Sequence, residues 1–248
     1  MEPTPRAELY LGDCLDVLPM LAPASVDLVA ADLPYGTTKC GWDTIIDPAA
    51  LWAEYRRVLT PTGAVVLTGD MRFGMTMIAA NPRWFRYDLV WCKTMPVGYL
   101  DAKRRPLRSH ELVFVFAPKP GRMVYRPRMT EGRPYRFRGK SWTPLYATHP
   151  GYLADRNNEG ARYPTSIQTF ANRSGAAKLH PTQKPVDLMA WLIDTYSEPG
   201  AGVLDNAMGS GTTGVAALEL GRRFVGIEAD PGHFDTASRR IEAAAQAA

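Results

Sequence analysis

Four consecutive residues, Asp32-Leu33-Pro34-Tyr35, hold the first groups that could do chemistry. A carboxylate beside a backbone carbonyl can accept both N–H bonds of an aromatic amine, such as the exocyclic amino group of a base. That amine is a poor nucleophile because its lone pair is delocalised into the ring. Two acceptors draw the nitrogen toward tetrahedral geometry and stabilise the positive charge that develops as it attacks a methyl group. Asp32 supplies the carboxylate and Leu33 the carbonyl. Pro34 restricts Leu33 to extended backbone, which fixes where that carbonyl points. Tyr35 offers a flat face for stacking on a base taken out of its helix. Alone, the tetrapeptide reads equally well as a strand ending in a Pro-containing turn.

A second constellation lies far along the chain. Val203-Leu204-Asp205-Asn206-Ala207-Met208-Gly209-Ser210-Gly211-Thr212-Thr213-Gly214 runs from a short strand into a helix. Gly209 and Gly211 permit a tight turn and are expected to let a ligand approach the backbone. The unpaired amides of the helix's first turn attract a carboxylate or phosphate. Ser210, Thr212 and Thr213 add hydroxyls. Glu228 ends the next strand, where an acid can accept bonds from two ribose hydroxyls. The order strand, loop, helix, strand, acid describes a nucleoside site. Gly209, Gly211 and Gly214 also satisfy GxGxxG, so a dinucleotide competes. Only one helix follows Glu228, whereas a dinucleotide fold needs further strands after that acid. The remaining strands are therefore expected from the N-terminal half, in circularly permuted order.

The elements that must position these groups can be read from periodicity. Short apolar runs predict strands at Glu8–Leu11, Val26–Ala31, Ala64–Leu67, Tyr87–Cys92, Glu111–Ala117, Gly202–Asp205 and Arg223–Glu228. Amphipathic segments predict helices at Cys14–Leu21, Pro48–Leu59, Arg72–Ala80, Pro185–Ser197, Thr212–Leu220 and Pro231–Ala245. Asp47 before Pro48 is an N-cap signal, and Gly200 and Gly221 follow helical runs. Strands alternating with helices predict a parallel sheet with crossover helices. Ligands of such sheets sit outside the carboxyl ends of the strands, where Asp32, Asp205 and Glu228 all fall.

The 248 residues suffice for one sizeable α/β domain with an insertion. A hydrophobic share of 46% and a charged share of 22% are ordinary for a globular protein. No apolar run reaches transmembrane length, and Met1 to Arg6 lacks the form of a signal peptide, so no membrane partner and a cytoplasmic location are expected. Cys14, Cys40 and Cys92 form neither a disulfide framework nor a CxxC site. None follows a proline, so a cysteine-based methylation is not expected. The four histidines, His110, His149, His180 and His233, fit no metal spacing.

The net charge of +4 points weakly to a polyanion. Its distribution says more. Residues 119–179 are rich in Pro, Gly, Arg and Tyr and read as a loop-rich insertion. Between Lys119 and Lys140 stand Arg122, Arg126, Arg128, Arg133, Arg136 and Arg138, against Glu131 as the only acid. Tyr125, Tyr135, Phe137 and Trp142 are interleaved. Lys103, Arg104, Arg105 and Arg108 form an upstream cluster. Basic groups neutralise phosphates, and aromatics stack on exposed bases. An isolated charge run is more often a solvated surface; between the two chemical elements, target recognition is the better reading.

Together these segments resemble the amino-methylating DNA methyltransferases. Their catalytic element reads (Asp/Asn/Ser)-Pro-Pro-(Tyr/Phe/Trp), and their cofactor loop is similar to Met208-Gly209-Ser210-Gly211-Thr212-Thr213. His180-Pro181-Thr182-Gln183-Lys184-Pro185 looks like the segment that precedes that loop and helps enclose the methionine end of the cofactor. The order of the three resembles the family's β class, and the likeness runs from about Leu9 to Phe234. It implies a Rossmann-like, mostly parallel seven-stranded sheet with an antiparallel final strand and helices on both faces. Residues 1–118 would form the catalytic half, 119–179 the target-recognition insertion and 180–248 the cofactor-binding half.

The resemblance implies S-adenosylmethionine as cofactor and double-stranded DNA as partner, and it allows a homodimer. Asp32 to Tyr35 would be catalytic. Gly209 to Thr213 would hold the methionine carboxylate, with Asp205, Met208, His180, Thr182 and Lys184 beside the methionine portion, Glu228 on the ribose, and Asp13 with Cys14 at the adenine. Asp32 would also border the cofactor. The DNA set would be Arg104, Arg105, Arg122, Arg126, Arg128, Arg133, Arg136, Arg138 and Lys140. The family usually has Pro where Leu33 stands, and Pro-Phe where Asn206-Ala207 stands. Asp at position 32 implies adenine N6 as target, with cytosine N4 the alternative. Other readings are methylation of RNA or of a protein glutamine, a DNA-binding protein with a decayed cofactor fold, and a dinucleotide-dependent oxidoreductase.

Overall fold

Alternation within the short apolar runs builds the sheet. In β2 (Val26–Ala31), Val29 and Ala31 face one side while Leu28 and Ala30 face the other. The same split recurs in β3 (Leu59–Gly69), with Val65 and Leu67 opposite Ala64 and Val66. Strands buried on both faces need a layer of helices on each side. The computed structural model describes residues 6–36, 45–137, 156–172 and 183–247. Cys40, Arg138, Lys140, Trp142, His149, His180 and Thr182, all singled out above, lie outside the described residues.

β1 (Ala7–Leu11), β2 and β3 are joined in the main sheet by β4 (Phe85–Val97), β5 (Arg108–Phe116), β10 (Ile167–Phe170), β11 (Gly202–Asp205) and β12 (Arg223–Glu228). The order is β1-β12-β11-β2-β3-β5-β4-β10. All neighbours pair in parallel except around β5, which is antiparallel to both β3 and β4. The seven expected strands are all present. The eighth, β10, comes from the stretch read as insertion and adds in parallel along β4, from Ile167 opposite Val90 to Phe170 opposite Lys93. The antiparallel strand lies inside the sheet, between β3 and β4.

One face is covered by α1 (Cys14–Val17), α2 (Pro48–Val58) and α3 (Met71–Ala80), where Trp52 and Tyr55 are fully buried and Trp52 meets Phe116 edge-on at 4.9 Å. Pro19 ends α1 early, and Leu18–Met20 continue as a 3₁₀ turn. The other face carries α4 (Val186–Tyr196), α5 (Thr212–Glu219) and α6 (Pro231–Ala247). The late strand β11 sits beside the early β2, so the permuted order brings the glycine loop next to Asp32. Among the described residues no helix is long and apolar enough to cross a membrane.

Residues Pro127–Thr165 form a second compact unit. Its described part holds two small antiparallel pairs, β6 (Thr130–Glu131) with β9 (Ala161–Arg162) and β7 (Tyr135–Phe137) with β8 (Arg156–Asn158). The Arg162 guanidinium lies 4.6 Å from the Tyr135 ring centroid and donates to Asn158 and to the Arg133 carbonyl.

Helix α5 reaches the sheet closely because Gly214 has no side chain. A Cβ there would meet both Ile241 and Phe224 at 2.7 Å. Gly214→Val should therefore destabilise the protein by roughly 1–3 kcal/mol through overpacking, read from urea unfolding midpoints. An unchanged midpoint would mean that α5 shifts outward at no cost.

Candidate functional site

Seven strands bring their carboxyl ends to one edge of the sheet, and antiparallel β5 brings its amino end. A cleft of about 1130 Å³ opens along that edge. Asp32 to Tyr35, Asp205 to Ser210, Thr212, Thr213, Glu228, Asp13, Cys14 and Lys184 all line it. The tetrapeptide and the glycine loop, about 170 residues apart in sequence, thus share one cavity.

At the end of the cleft that holds Asp32, register sets the contacts. The β2–β3 ladder pairs Ala31 with Leu67, so the next residues, Asp32 and Thr68, stand side by side. Thr68 Oγ1 donates to Asp32 Oδ1 at 2.5 Å, and the Tyr35 hydroxyl donates to the same oxygen. Lys184 Nζ donates to Asp32 Oδ2 at 2.6 Å. The segment before α4 delivers this ammonium, and Glu111 Oε2 on β5 lies 3.3 Å from it. Lys93 on β4 in turn donates to Glu111 Oε1. The result is a row of alternating charges: Lys93, Glu111, Lys184, Asp32.

The row is mostly buried, and its opposite charges act on the protonation of Lys184 and Glu111. Burial works against a charge on Lys184, but Asp32, then Tyr35 and Glu111, outweigh it and hold the ammonium well above the usual lysine range. Burial likewise opposes the charge on Glu111, yet Lys184 and Lys93 keep its carboxyl below the ordinary value. Burial pushes the Tyr35 phenol far up, and the charge of Asp32 adds to that, so Tyr35 is a donor. Its ring packs 5.0 Å from Phe73. Leu33 buries its side chain, so its backbone carbonyl is what it can offer a ligand.

At the other end, the two loop glycines part company. A Cβ on Gly209 would meet nothing within 4 Å, whereas one on Gly211 would lie 3.0 Å from Ala237 and Ile241. Gly209 therefore has open space beside its Cα. Gly211 has a packing role beside the one expected of it: it caps α5 with a left-handed φ of 76° and lets α6 pack close. No side chain caps the first turn of α5. Glu228 Oε2 accepts from the Gly209 amide at 2.8 Å, which ties the acid to the loop. Ser210 accepts from Arg240 through its carbonyl and hydroxyl oxygens. Asp13 caps α1 through the Leu15 amide at 2.8 Å and still lines the cleft. Burial pushes the Cys14 thiol up, which keeps it un-ionised.

Asp205 is fully buried. It accepts from Thr213 Oγ1 at 2.6 Å and from the Ala207 amide at 3.1 Å. Burial dominates these bonds and raises its carboxyl to about 7, with Asp32 and Glu228 adding to the rise. Asn206 accepts from the buried Tyr55 hydroxyl at 2.7 Å.

The basic residues divide. Arg104, Arg105, Arg122, Arg128, Arg133 and Arg136 are exposed, and Arg105 and Arg108 line the cleft. Arg126 is different: it binds Asp194 at 3.0 Å and Glu198 at 3.5 Å, which commits it to α4. Thr68, Lys93, Glu111 and Phe73 are the site residues that sequence reasoning missed. Lys184, expected beside the methionine portion of the cofactor, lines the cleft and bonds Asp32.

With this geometry in hand, comparisons with known proteins are informative. The chain matches the family model described as DNA methylase over residues 26–239. It is 27% identical over 260 residues to the type II methyltransferase M.HinfI of Haemophilus influenzae, spanning 93% of this chain and 67% of that protein. A crystal structure of an M1.HpyAVI–SAM complex superposes with a TM-score of 0.68 at 24% identity, covering 95% of this chain and 98% of that one. The cytosine-N4-specific PvuII DNA methyltransferase superposes at 0.67 with 16% identity, covering 96% and 86%. The two structural likenesses establish the fold.

The raised carboxyl of Asp205 has a measurable consequence. Its folded value lies above its unfolded one, so the stability it contributes is complete below the ordinary aspartate value. That stability is lost as pH rises from there through about 7. Asp205→Asn removes the loss. The variant should match the wild type near pH 4 and exceed it by on the order of a few kcal/mol at pH 8, by urea unfolding across that range. A pH-independent difference would contradict the assignment.

Proposed function

The chain belongs to the N6/N4 amino-methylating DNA methylase family, and from that premise we propose that it methylates adenine N6 in double-stranded DNA with S-adenosylmethionine as donor. The observation that carries this reading is the shared cleft, in which the Asp32 carboxylate and the Gly209 loop line one cavity.

The residues present fit the donor. Gly209 leaves open space on its ligand side, and the first-turn amides of α5 have no side-chain cap, which suits a carboxylate. Asp13, Asp205 and Glu228 line the same cavity and suit a molecule rich in cationic and hydroxyl groups. Gly209 to Thr213 would hold the methionine carboxylate and Glu228 the ribose. When bound, the donor supplies an activated methyl group on a sulfonium centre.

The chain's own residues do the rest. Asp32 and the Leu33 carbonyl accept from the target amine and favour the positive charge that grows on its nitrogen. Thr68 and Tyr35 fix the Asp32 carboxylate through Oδ1. The target base is flipped into the cleft, with Tyr35 against its face. Exposed basic residues on both compact units, Arg104 and Arg122 on one and Arg128, Arg133 and Arg136 on the other, supply phosphate contacts. Adenine is favoured over cytosine because Asp stands at position 32, where the family's N4-cytosine members commonly carry Ser.

Asp32→Ala should lower turnover by about two decades or more, while calorimetry shows cofactor binding retained. Mass spectrometry of digested product DNA should yield N6-methyladenine. Near-normal turnover in the variant would remove the mechanism; N4-methylcytosine in the product would replace the base and leave the mechanism intact. Neutralising Arg122, Arg128, Arg133 and Arg136 together should flatten log affinity against log salt, by roughly 0.9 in slope for each phosphate no longer neutralised. An unchanged slope would put the DNA elsewhere.

A further inference from the structure

Asp32 can serve an incoming amine only if its negative potential is available, and here it is already engaged. Oδ1 accepts from Thr68 and Tyr35, both neutral donors that orient the carboxylate without cancelling its charge. Oδ2 faces the Lys184 ammonium at 2.6 Å. A unit positive charge on the same carboxylate opposes the second positive charge that methylation would place on the amine nitrogen. The cation paired with Asp32 therefore becomes a hindrance at the moment of transfer.

The surroundings supply a way out. Lys184 Nζ has a second anion within reach, Glu111 Oε2 at 3.3 Å. Glu111 is fixed on β5 and held at its other oxygen by Lys93, so it is a stationary acceptor. Small rotations of the flexible lysine stem carry Nζ from one carboxylate to the other without a point at which the buried ammonium is unpaired. The Tyr35 hydroxyl, 3.5 Å from Nζ, lies beside the two anions.

Resting on the reading of this cleft as an amine methylation site, we propose that Lys184 is a mobile positioning residue, which neutralises Asp32 between turnovers and passes to Glu111 when the target amine takes Asp32 Oδ2. Glu111 is then a docking point for the ammonium and touches neither substrate.

Three proteins test this in single-turnover methyl transfer to DNA: the wild type, Glu111→Gln, and Glu111→Gln combined with Lys184→Met. Glu111→Gln leaves Lys184 with Asp32 as its one anion. The methyl-transfer rate should fall by roughly tenfold or more, with KM for DNA and for the methyl donor near wild type. Adding Lys184→Met removes the trapped cation and should restore most of that loss. A merely structural or cofactor-holding lysine would make the double variant as slow as the single one or slower. That outcome, with cofactor binding intact by calorimetry, overturns the proposal, as does a wild-type rate in Glu111→Gln. Should Glu111→Gln melt out, Glu111→Asp keeps the charge but shortens the reach, and the same comparison with and without Lys184→Met applies. The wild-type protein reports separately on the parent reading. Its failure to methylate DNA would sink both, whereas methylation without rescue sinks the lysine transfer alone.

Discussion

The half-buried Asp32 carboxylate, held by three side-chain donors, is the constraint around which the cleft is built. Its side chain is 24% exposed at the cleft wall, so water solvates it only in part. It cannot be left alone, because a lone buried charge is strongly destabilising. Lys184 answers that need, and then itself needs Glu111, which needs Lys93. The row draws on β2, β4, β5 and the segment that leads into α4. Replacing any of these elements would break this sequence of charges.

The same logic explains why β5 runs against its neighbours. A parallel strand between β3 and β4 would present its carboxyl end to the cleft. The antiparallel strand presents its amino end, and Glu111 enters from a residue early in β5 while Phe114 and Phe116 continue into the core below. Charge at the rim and aromatics underneath occupy one strand, with Lys93 placed diagonally across from Glu111 through the Trp91–Glu111 register.

What could be read from the sequence follows the range of the interactions. Periodicity located the seven strands and six helices because each depends on neighbours along the chain. Asp32 and the glycine loop were legible because their chemistry is packed into a few consecutive residues. Thr68 was not, since its role exists only through the β2–β3 register. Lys93 and Glu111, 18 residues apart, meet only through the β4–β5 register, and neither stands in a recognisable pattern. Lys184 lay inside a motif already given to the cofactor, and no local signal shows that its stem reaches Asp32. Strand β10 was missed because its four residues lie on the sheet edge, with an alternation of exposed and half-buried positions in place of an apolar run. The packing role of Gly211 was hidden because a tight turn and a close helix contact ask for the same residue.

The chain leaves the main sheet and helix layers and returns to them through two fastened joints. On departure, the Arg126 amide bonds the Thr195 carbonyl at 2.8 Å and its guanidinium grips Asp194. On return, the Ser166 carbonyl accepts from Val90 at 2.8 Å, and β10 follows along β4. Among the described residues between the joints, none contributes a member to the row of charges that ends on Asp32. A change of length confined to residues 127–165 leaves both joints in place, so an engineer wishing to graft a new segment would cut just inside them.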